Sequence, residues 1–313
     1  MRYKEWCEIA PRTDQQKRAY KLKIVKQNVV GTSMVILPFL GFLCFTLFPM
    51  LLSLALAFSH LQSALISEAT FDAGFENFIF VLKDGYTWKA MRTTLVYSLT
   101  TFLNVAVAVF LASVMNRHIY GKKFYFVLFF LPQVCSSVAV AMMWRWVFAE
   151  NGVINAFRLV GGKPAIDFFT NSNYYMFAIF VMSIWKNGTN IVILLSAFSA
   201  INKSLQEAAR LDGADEMHVF WNVTFPQLTP TIFYLITMNL IASLQEQALF
   251  QLINTTATGP NFWGLTLTYQ MYRLMNVNLQ YGLSCAMSWF IGIFILIVTK
   301  INFALSKKWV SYD

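Results

Sequence analysis

The sequence predicts an all-α integral membrane protein, and three observations carry that prediction. The chain of 313 residues is 57% hydrophobic and only 12% charged, where a soluble domain holds about 25% charged residues. Its apolar residues collect into six runs, each long enough to cross roughly 30 Å of hydrocarbon as a helix. Its lysines and arginines, which bring the net charge to +9, gather in alternate loops between those runs. That distribution explains the charge by topology, so no nucleic-acid partner is needed to account for it. Of the four cysteines, Cys44, Cys135 and Cys285 lie inside apolar runs, which argues against a disulfide framework or a metal site.

Residues 1–28 form a basic leader, with Arg2, Lys4, Arg12, Lys17, Arg18, Lys21, Lys23 and Lys26 against Glu5, Glu8 and Asp14. It reads as a tail that sets orientation, with an interfacial helix in its second half as the other reading. The first span covers residues 29–58, where Pro38 and Pro49 are kink candidates. Residues 59–90 make an acidic, aromatic loop that includes Glu68, Asp72, Glu76, Phe71, Phe75 and Trp88. From 91 to 305 the chain holds the other five spans. The second covers 93–115 and leads to a short basic loop with Arg117, His118, Lys122 and Lys123. The third covers 124–148; near its end Arg145, between Trp144 and Trp146, is placed to snorkel toward the interface. A polar loop, 149–172, turns at Gly161-Gly162 and precedes the fourth span, 174–201. The fifth span is 229–253, the loop 254–280 carries Gly259-Pro260, the sixth span is 281–305, and 306–313 form a tail.

Six spans put both termini on one side. Sixteen of the 24 lysines and arginines fall on that side and six on the other, so the terminal side is cytoplasmic and residues 59–90 are extracytoplasmic.

Between the fourth and fifth spans lies the polar stretch 202–226. Asn202 or Ser204 suits an N-cap, and Glu207 stands three residues after Ser204, at capping-box spacing. Residues 206–211 are helix formers, and Gly213 permits a turn with positive φ. Met217, Phe220 and Trp221 share one face of a second short helix that Pro226 is expected to close. A helix, a glycine turn and a second helix on the cytoplasmic side make a knob suited to docking a partner.

Polar groups inside spans are costly and mark cavities or contacts. Lys186 lies in the run Trp185-Lys186-Asn187-Gly188-Thr189-Asn190, and Glu246 in a segment with Asn239, Ser243, Gln245 and Gln247. The stretch that joins the two spans makes them candidate neighbours. A Lys186–Glu246 pair is one reading, helix-to-helix hydrogen bonds a second, and a solvated path a third. Trp185 beside amides suits a sugar, whose CH faces pack on rings while its hydroxyls take polar partners. Gly161-Gly162-Lys163 runs into Pro164 and is no phosphate-binding loop, so the chain is not expected to bind ATP or to be an enzyme.

The run Glu207-Ala208-Ala209-x3-Gly213-x9-Val223-x-Phe225-Pro226 resembles the EAA loop of binding-protein-dependent ABC importer permeases, with Val223 and Phe225 where that family has Ile and Leu. Gly121-Lys122-x-Phe124, Phe130-Leu131-Pro132, Trp144-Arg145-Trp146, Thr258-Gly259-Pro260, Tyr281-Gly282 and Lys308-Trp309-Val310 resemble the sugar-permease branch, the first permease subunit of maltose-type and glycerol-phosphate-type systems. The resemblance implies a type I ABC importer permease fold of six transmembrane helices in a bacterial cell membrane, with the EAA loop as a cytoplasmic coupling helix that docks on an ATPase.

Carried onto this chain, Glu207 would meet a basic group of the ATPase, Ala208 and Ala209 would allow close approach, and Gly213 would make the turn. The acidic cluster Asp212, Asp215 and Glu216 would make a charged docking rim, and Arg210 would count among the coupling residues. Sugar contacts would fall at Trp185, Lys186, Asn187 and Asn190 before the loop and at Asn239, Ser243 and Glu246 after it. A lysine and a glutamate there depart from the neutral-sugar pattern and leave a charged or amino-modified sugar open. The implied partners are a second homologous permease subunit, a cytoplasmic ATPase dimer, an extracytoplasmic solute-binding protein, the carbohydrate and membrane lipid. ATP and magnesium would sit on the ATPase, with no cofactor on this chain. The other readings are a permease for a polyamine or similar cation, with Glu246 as counter-charge, and a membrane scaffold whose loop only recruits a partner.

Overall fold

The structure, a computed structural model, describes residues 13–116 and 120–310. The expectations for residues 1–12, Arg117, His118 and residues 311–313 fall outside the described residues. The chain divides into two compact units, one up to Leu56 and one from Ala57 onward. Among the described residues the regular elements are helical; one isolated antiparallel bridge joins His60 to Thr70.

The first unit is a helical rod. Helix α1 spans Asp14–Phe42, a π-helical turn covers Leu43–Leu47, and α2 spans Phe48–Leu56. Among the described residues no loop separates the leader from the first span: α1 runs from Asp14 through Lys17, Arg18, Lys21, Lys23 and Lys26 into the apolar run. The π turn lies just before Pro49, where Phe48 N–H reaches back to Leu43 O. It absorbs the hydrogen bond that a proline without an N–H cannot make.

In the second unit α3 spans Glu76–Lys83, and α4 (Gly85–Ser98) runs into α5 (Thr100–Asn116). Together α4 and α5 form one apolar helix, Gly85–Asn116, so the second span begins eight residues before its expected start at 93. Asp84 caps it, accepting from the N–H groups of Tyr86 and Thr87. Lys89 and Arg92, which made this segment look like loop, instead lie over aromatic rings. Lys89 Nζ sits 3.7 Å from the Phe262 ring centre, and the Arg92 guanidinium 4.1 Å from that of Trp263.

Two expected spans are broken. The third divides into α6 (Lys122–Val134) and α7 (Ser137–Val147), bent by 103°. Pro132 weakens the last turn of α6, and Ser136 restarts a helix by accepting from Ala139 N–H. The fourth divides into α9 (Ser172–Trp185) and α10 (Gly188–Ala200), bent by 46° at Lys186-Asn187. Between these pairs the loop 149–172 holds a short helix, α8 (Val153–Val160), ahead of the Gly161-Gly162 turn. By length and composition four helices can cross a membrane, or up to six if each bent pair counts as one.

The polar stretch forms α11 (Lys203–Leu211) and α12 (Glu216–Val219), followed by a π-helical turn, Phe220–Thr224, and α13 (Phe225–Leu244). Pro226 does not close the second short helix. Residues 216–244 continue as one apolar helix, because the π-helical turn just before Pro226, where Phe225 N–H reaches back to Phe220 O, absorbs the bond that the proline cannot make. The expected fifth span then stops at Leu244, and residues 248–253 form a separate helix, α14 (Ala248–Ile253). The loop 254–280 contains a further helix, α15 (Leu267–Asn276), capped by Thr266, and α16 spans Tyr281–Ser306.

Among the described residues the buried side chains form three clusters, one of which sits where α5, α10 and α13 meet. Ala108 and Ala112 of α5, Ile191 and Leu194 of α10, and Leu228 and Leu235 of α13 are buried together. Lipid tails are as apolar as leucine, so close packing rather than water exclusion holds such helices together. The two alanines, four residues apart, let the backbones approach.

Candidate functional site

The polar knob formed by residues 202–226 is built by short-range contacts. Asn202, not Ser204, is the N-cap of α11: its Oδ1 accepts from Ser204 N–H at 3.0 Å and from the Ser204 hydroxyl at 2.9 Å. Glu207 is thereby released from a capping-box role. At the other end Gly213 has φ +89°, Gly213 N–H reaches Arg210 O at 3.1 Å, and Ala214 N–H reaches Ala209 O at 3.0 Å. This pair of bonds is a Schellman ending, which favours glycine at the left-handed position. Asp215 then caps α12, accepting from the His218 backbone N–H at 2.7 Å and sharing a 2.8 Å contact with His218 Nδ1. The backbone N–H of His218, and after it the His218 ring, hold the Asp215 carboxyl below the usual carboxylate range.

Two side-chain ties fold the knob on itself. Arg210 forks onto Glu216, Nε to Oε1 at 2.9 Å and Nη2 to Oε2 at 3.3 Å. Gln206 Nε2 donates to Thr224 Oγ1 at 3.2 Å. Arg210, Asp215 and Glu216 are therefore engaged within the loop, whereas the side chains of Glu207 and Asp212 stand exposed, with no hydrogen bond or ion pair to the described residues. Glu207 and Ala208 share the outer surface with Leu211, 89% exposed, and Met217, 64% exposed. The sequence reading missed the last two as surface. Leu211 could have been found from Gly213, since a leucine just before a left-handed turn projects past the helix end.

The intramembrane polar residues behave differently. Asn187, at the break in the fourth span, is buried and donates Nδ2 to Asn104 O of α5 at 2.6 Å. Asn190 donates to Asn187 Oδ1 at 2.6 Å and exchanges bonds with Asn239 of α13, at 3.2 Å and 3.0 Å. Ser243 of α13 is buried and accepts from Thr101 of α5 at 3.3 Å. These four residues thus form a ladder between α5, α10 and α13, the helix-to-helix reading of the sequence. The break itself depends on Gly188. A Cβ there would lie 2.7 Å from Phe129 O and 3.0 Å from Phe130 Cα of α6, so only glycine lets the two broken spans touch at this point.

Trp185, Lys186 and Glu246 stand outside the ladder. The Trp185 ring meets Trp144 edge to face, with centres 5.7 Å apart, and is 38% exposed. Lys186 Nζ donates to Ser137 Oγ at 3.3 Å, just past the break in the third span. The pair with Glu246 is not formed: Glu246 Oε1 accepts from Leu249 N–H, in the first turn of α14, at 3.0 Å. The Glu246 backbone carbonyl accepts from Thr266 Oγ1 at 2.7 Å. Lys186 and Glu246 each answer to their own chain break.

The Thr258-Gly259-Pro260 turn is locked to the spans. Asn254 accepts from the buried Tyr175 hydroxyl and donates to Gly264 O at 2.8 Å. Thr93 donates to Phe262 O at 3.0 Å and Arg92 to Asn261 O at 3.1 Å. Asn261 and Phe262 both hold positive φ, +49° and +65°, a conformation that non-glycine residues keep only when their surroundings impose it.

With this geometry in hand, the chain can be set beside known proteins. The family described as binding-protein-dependent transport system inner membrane component matches residues 104–310. A probable ABC transporter permease protein of Bacillus subtilis (strain 168), YesP, is 33% identical over 297 residues, 93% of this chain and 94% of that protein. The sn-glycerol-3-phosphate transport system permease protein UgpA of Rhizobium meliloti (strain 1021) is 32% identical over 242 residues, 76% of this chain and 82% of its own. Among solved structures, a chain of a bacterial alginate ABC transporter, in complex with an alginate pentasaccharide-bound periplasmic protein, superposes with a TM-score of 0.80 at 22% identity. The match covers 91% of this chain and 96% of that one.

Proposed function

The chain belongs to the family of binding-protein-dependent transport system inner membrane components, and from that premise we propose that it is a membrane-spanning permease subunit of an ATP-driven ABC importer for a carbohydrate. In this reading each bent helix pair is one span, giving six, and both termini face the cytoplasm. Residues 202–226 form the coupling loop. A second permease subunit completes the pore, and an extracytoplasmic binding protein delivers the sugar. A separate cytoplasmic ATPase dimer holds ATP and magnesium, so this chain performs no covalent chemistry.

The single observation that carries the coupling role is the self-capped knob with Glu207, Ala208, Leu211 and Met217 outward. Internal hydrogen bonds at both helix ends make it stiff enough to transmit a push. The exposed Glu207 and Asp212 leave negative charge for a basic groove, while Arg210 and Asp215 keep the loop in shape. When the ATPases close, the displaced knob moves α10 on one side and the long helix that includes α13 on the other. The Asn187–Asn190–Asn239 ladder and Ser243 hold those helices together as they move. Trp185, Lys186 and Glu246, at the breaks, face the cargo. A polyamine permease fits less well, because the Glu246 carboxylate already accepts from Leu249 N–H in the first turn of α14.

The test uses the importer assembled with its partner subunits in liposomes. Glu207→Ala should lower sugar uptake by about tenfold or more, the range for removing a charge from a docked pair. It should leave basal ATP hydrolysis intact while abolishing its stimulation by loaded binding protein. Uptake at the native rate would remove the coupling role from this loop.

A further inference from the structure

Helix α8 (Val153–Val160) is inverted for a helix at a water surface. Its buried residue is polar: Asn155 is fully enclosed, donates Nδ2 to Ala149 O at 2.9 Å and to Ile166 O at 2.8 Å, and accepts from Ile166 N–H at 2.9 Å. Its exposed side is apolar. Val153, Ala156, Phe157 and Val160 all face outward, at the i, i+3, i+4, i+7 spacing of a single stripe. Phe157 is 75% exposed and Val160 90%. In water such a face costs free energy in proportion to its area, and the helix cannot roll to hide it. The three Asn155 bonds fix its rotation, Arg158 Nε adds a bond to Pro164 O at 3.2 Å, and Ile154 packs against the cluster that includes Phe148 and Phe168.

The place of α8 in the chain says what covers the stripe. The loop leaves the third span at Val147 and enters the fourth at Ser172. Gly152 lies so close to the end of α7 that a Cβ there would be 2.7 Å from Val147 O, so α8 starts against the last turn of that span. The outer face of α7 leads up to it: Val138, Met142 and Trp146, four residues apart, are all exposed and apolar. A tryptophan at the end of a span marks the boundary of lipid and water. The stripe of α8 thus continues an apolar surface that already ends at that boundary, and the exposed Lys163 beyond the helix suits lipid phosphate.

We propose that α8 is an interfacial anchor whose partner is the lipid surface: Val153, Phe157 and Val160 insert into the headgroup–acyl boundary of the leaflet at which the third and fourth spans end. Amphipathic helices bury such a face roughly 5–10 Å deep. The anchor steadies the far end of α7, which the 103° bend cuts off from α6, so that lipid holds the half-span that its own helix does not. This goes beyond the transport reading and takes from it only that each bent pair is one span.

The experiment uses the complete importer in liposomes, with a thiol-reactive fluorophore on Phe157→Cys, Val160→Cys or Glu150→Cys. The native complex is labelled in the same way and its signal subtracted, since Cys44 and Cys135 are exposed. Acyl chains brominated near the headgroup quench from within the bilayer, and iodide quenches from water. Phe157→Cys and Val160→Cys should lose at least about half of their emission to the brominated lipid, and only a little to iodide. Glu150→Cys, an exposed carboxylate position just before the helix, should show the reverse. Adding Phe157→Asp to Val160→Cys should raise its iodide quenching about threefold as the stripe loses its hold, whereas adding Phe157→Leu should leave it unchanged. Iodide quenching of Phe157→Cys and Val160→Cys at the Glu150→Cys level overturns the proposal, because the stripe then stands in water. Protection from both quenchers also overturns it, in favour of cover by the second permease subunit or the binding protein. So does a Val160→Cys signal that ignores Phe157→Asp, because the stripe then does not hold the helix down. If the brominated lipid quenches Glu150→Cys as fully as the other two, the segment runs inside the bilayer, and the reading of each bent pair as one span fails together with the anchor.

Discussion

The polar knob and the break in the fourth expected span both interrupt apolar helices with polar residues, yet they are held in opposite ways. Every bond that shapes the knob closes within about twenty residues: Asn202 to Ser204, Ala214 to Ala209, Asp215 to His218, Arg210 to Glu216, Gln206 to Thr224. The break is held from far along the chain, by Asn104 O onto Asn187, by Asn239 onto Asn190 and by Ser137 onto Lys186. A surface knob in water has to be rigid by itself before it docks. A break in a membrane cannot leave backbone or amide groups to water, so its neighbours must satisfy them. The contrast predicts that equal-sized substitutions should damage stability at the break and damage coupling at the knob.

The largest effect is expected at Gly188. A side chain there meets backbone atoms of α6, Phe129 O at 2.7 Å and Phe130 Cα at 3.0 Å, and backbone cannot step aside as a flexible side chain can. Gly188→Val should cost about 3 kcal/mol, the upper end for overpacking. A large drop in the melting temperature of the purified complex would show it. An unchanged melting temperature would mean that α6 and α10 do not need this contact, and the break would lose its tertiary explanation.

Next comes Asn190, which joins Asn187 and Asn239. Asn190→Leu strands polar partners on both sides, and about 2 kcal/mol of destabilisation is expected, since buried groups left unpaired forfeit their desolvation. The replacement Asn190→Leu with Asn239→Leu should cost less than the sum of the two single changes, because each removes the group the other leaves orphaned. Additive costs in a double-mutant melting series would break the ladder apart.

These residues also show how far the sequence could be read. The knob was legible almost in full, because caps and glycine turns are local chemistry: Asn202, Gly213 and Asp215 act within a few positions of themselves. Two details were misread: the capping box expected of Ser204 and Glu207 gives way to Asn202, and Pro226 was treated as a stop when a π-helical turn carries the helix past it. The membrane part was legible as apolar runs but not as bends. Pro132 with Ser136-Ser137, and Asn187-Gly188, carried the signal for the two broken spans, but a hydropathy pattern cannot see a helix change direction. Roles inside the break were hidden for a related reason. Lys186 and Glu246 look like a pair by composition, and only the fold shows that each is taken by a different partner, Ser137 and Leu249.

The knob gives the smaller stability effects. Gly213 has φ +89° but open space where a Cβ would go, so Gly213→Ala brings conformational strain alone, about 1 kcal/mol. That should hardly lower the melting temperature while it reshapes the Schellman ending, and stimulated ATP hydrolysis should fall more than stability does. If Gly213→Ala destabilised the complex as much as Gly188→Val, the knob would have to be part of the packed core, and the comparison would fail.

The smallest effect concerns pH. The Asp215 carboxyl is held below its ordinary value of 3.8, first by the backbone N–H of His218 and then by the His218 side chain. A depressed carboxylate contributes stability that is complete above the unfolded value and is lost as pH falls through the folded one. The cap should therefore be at full strength from about pH 5 upward and weaken only in acid well below that. Asp215→Asn keeps an N-cap acceptor but does not titrate. The difference in melting temperature between native protein and Asp215→Asn should stay constant across neutral pH and shrink at the acid end. A difference that instead changed across neutral pH would show that the strength of the cap does not rest on this carboxylate. The buried ladder offers no such dependence on acid, since amides and hydroxyls do not titrate there.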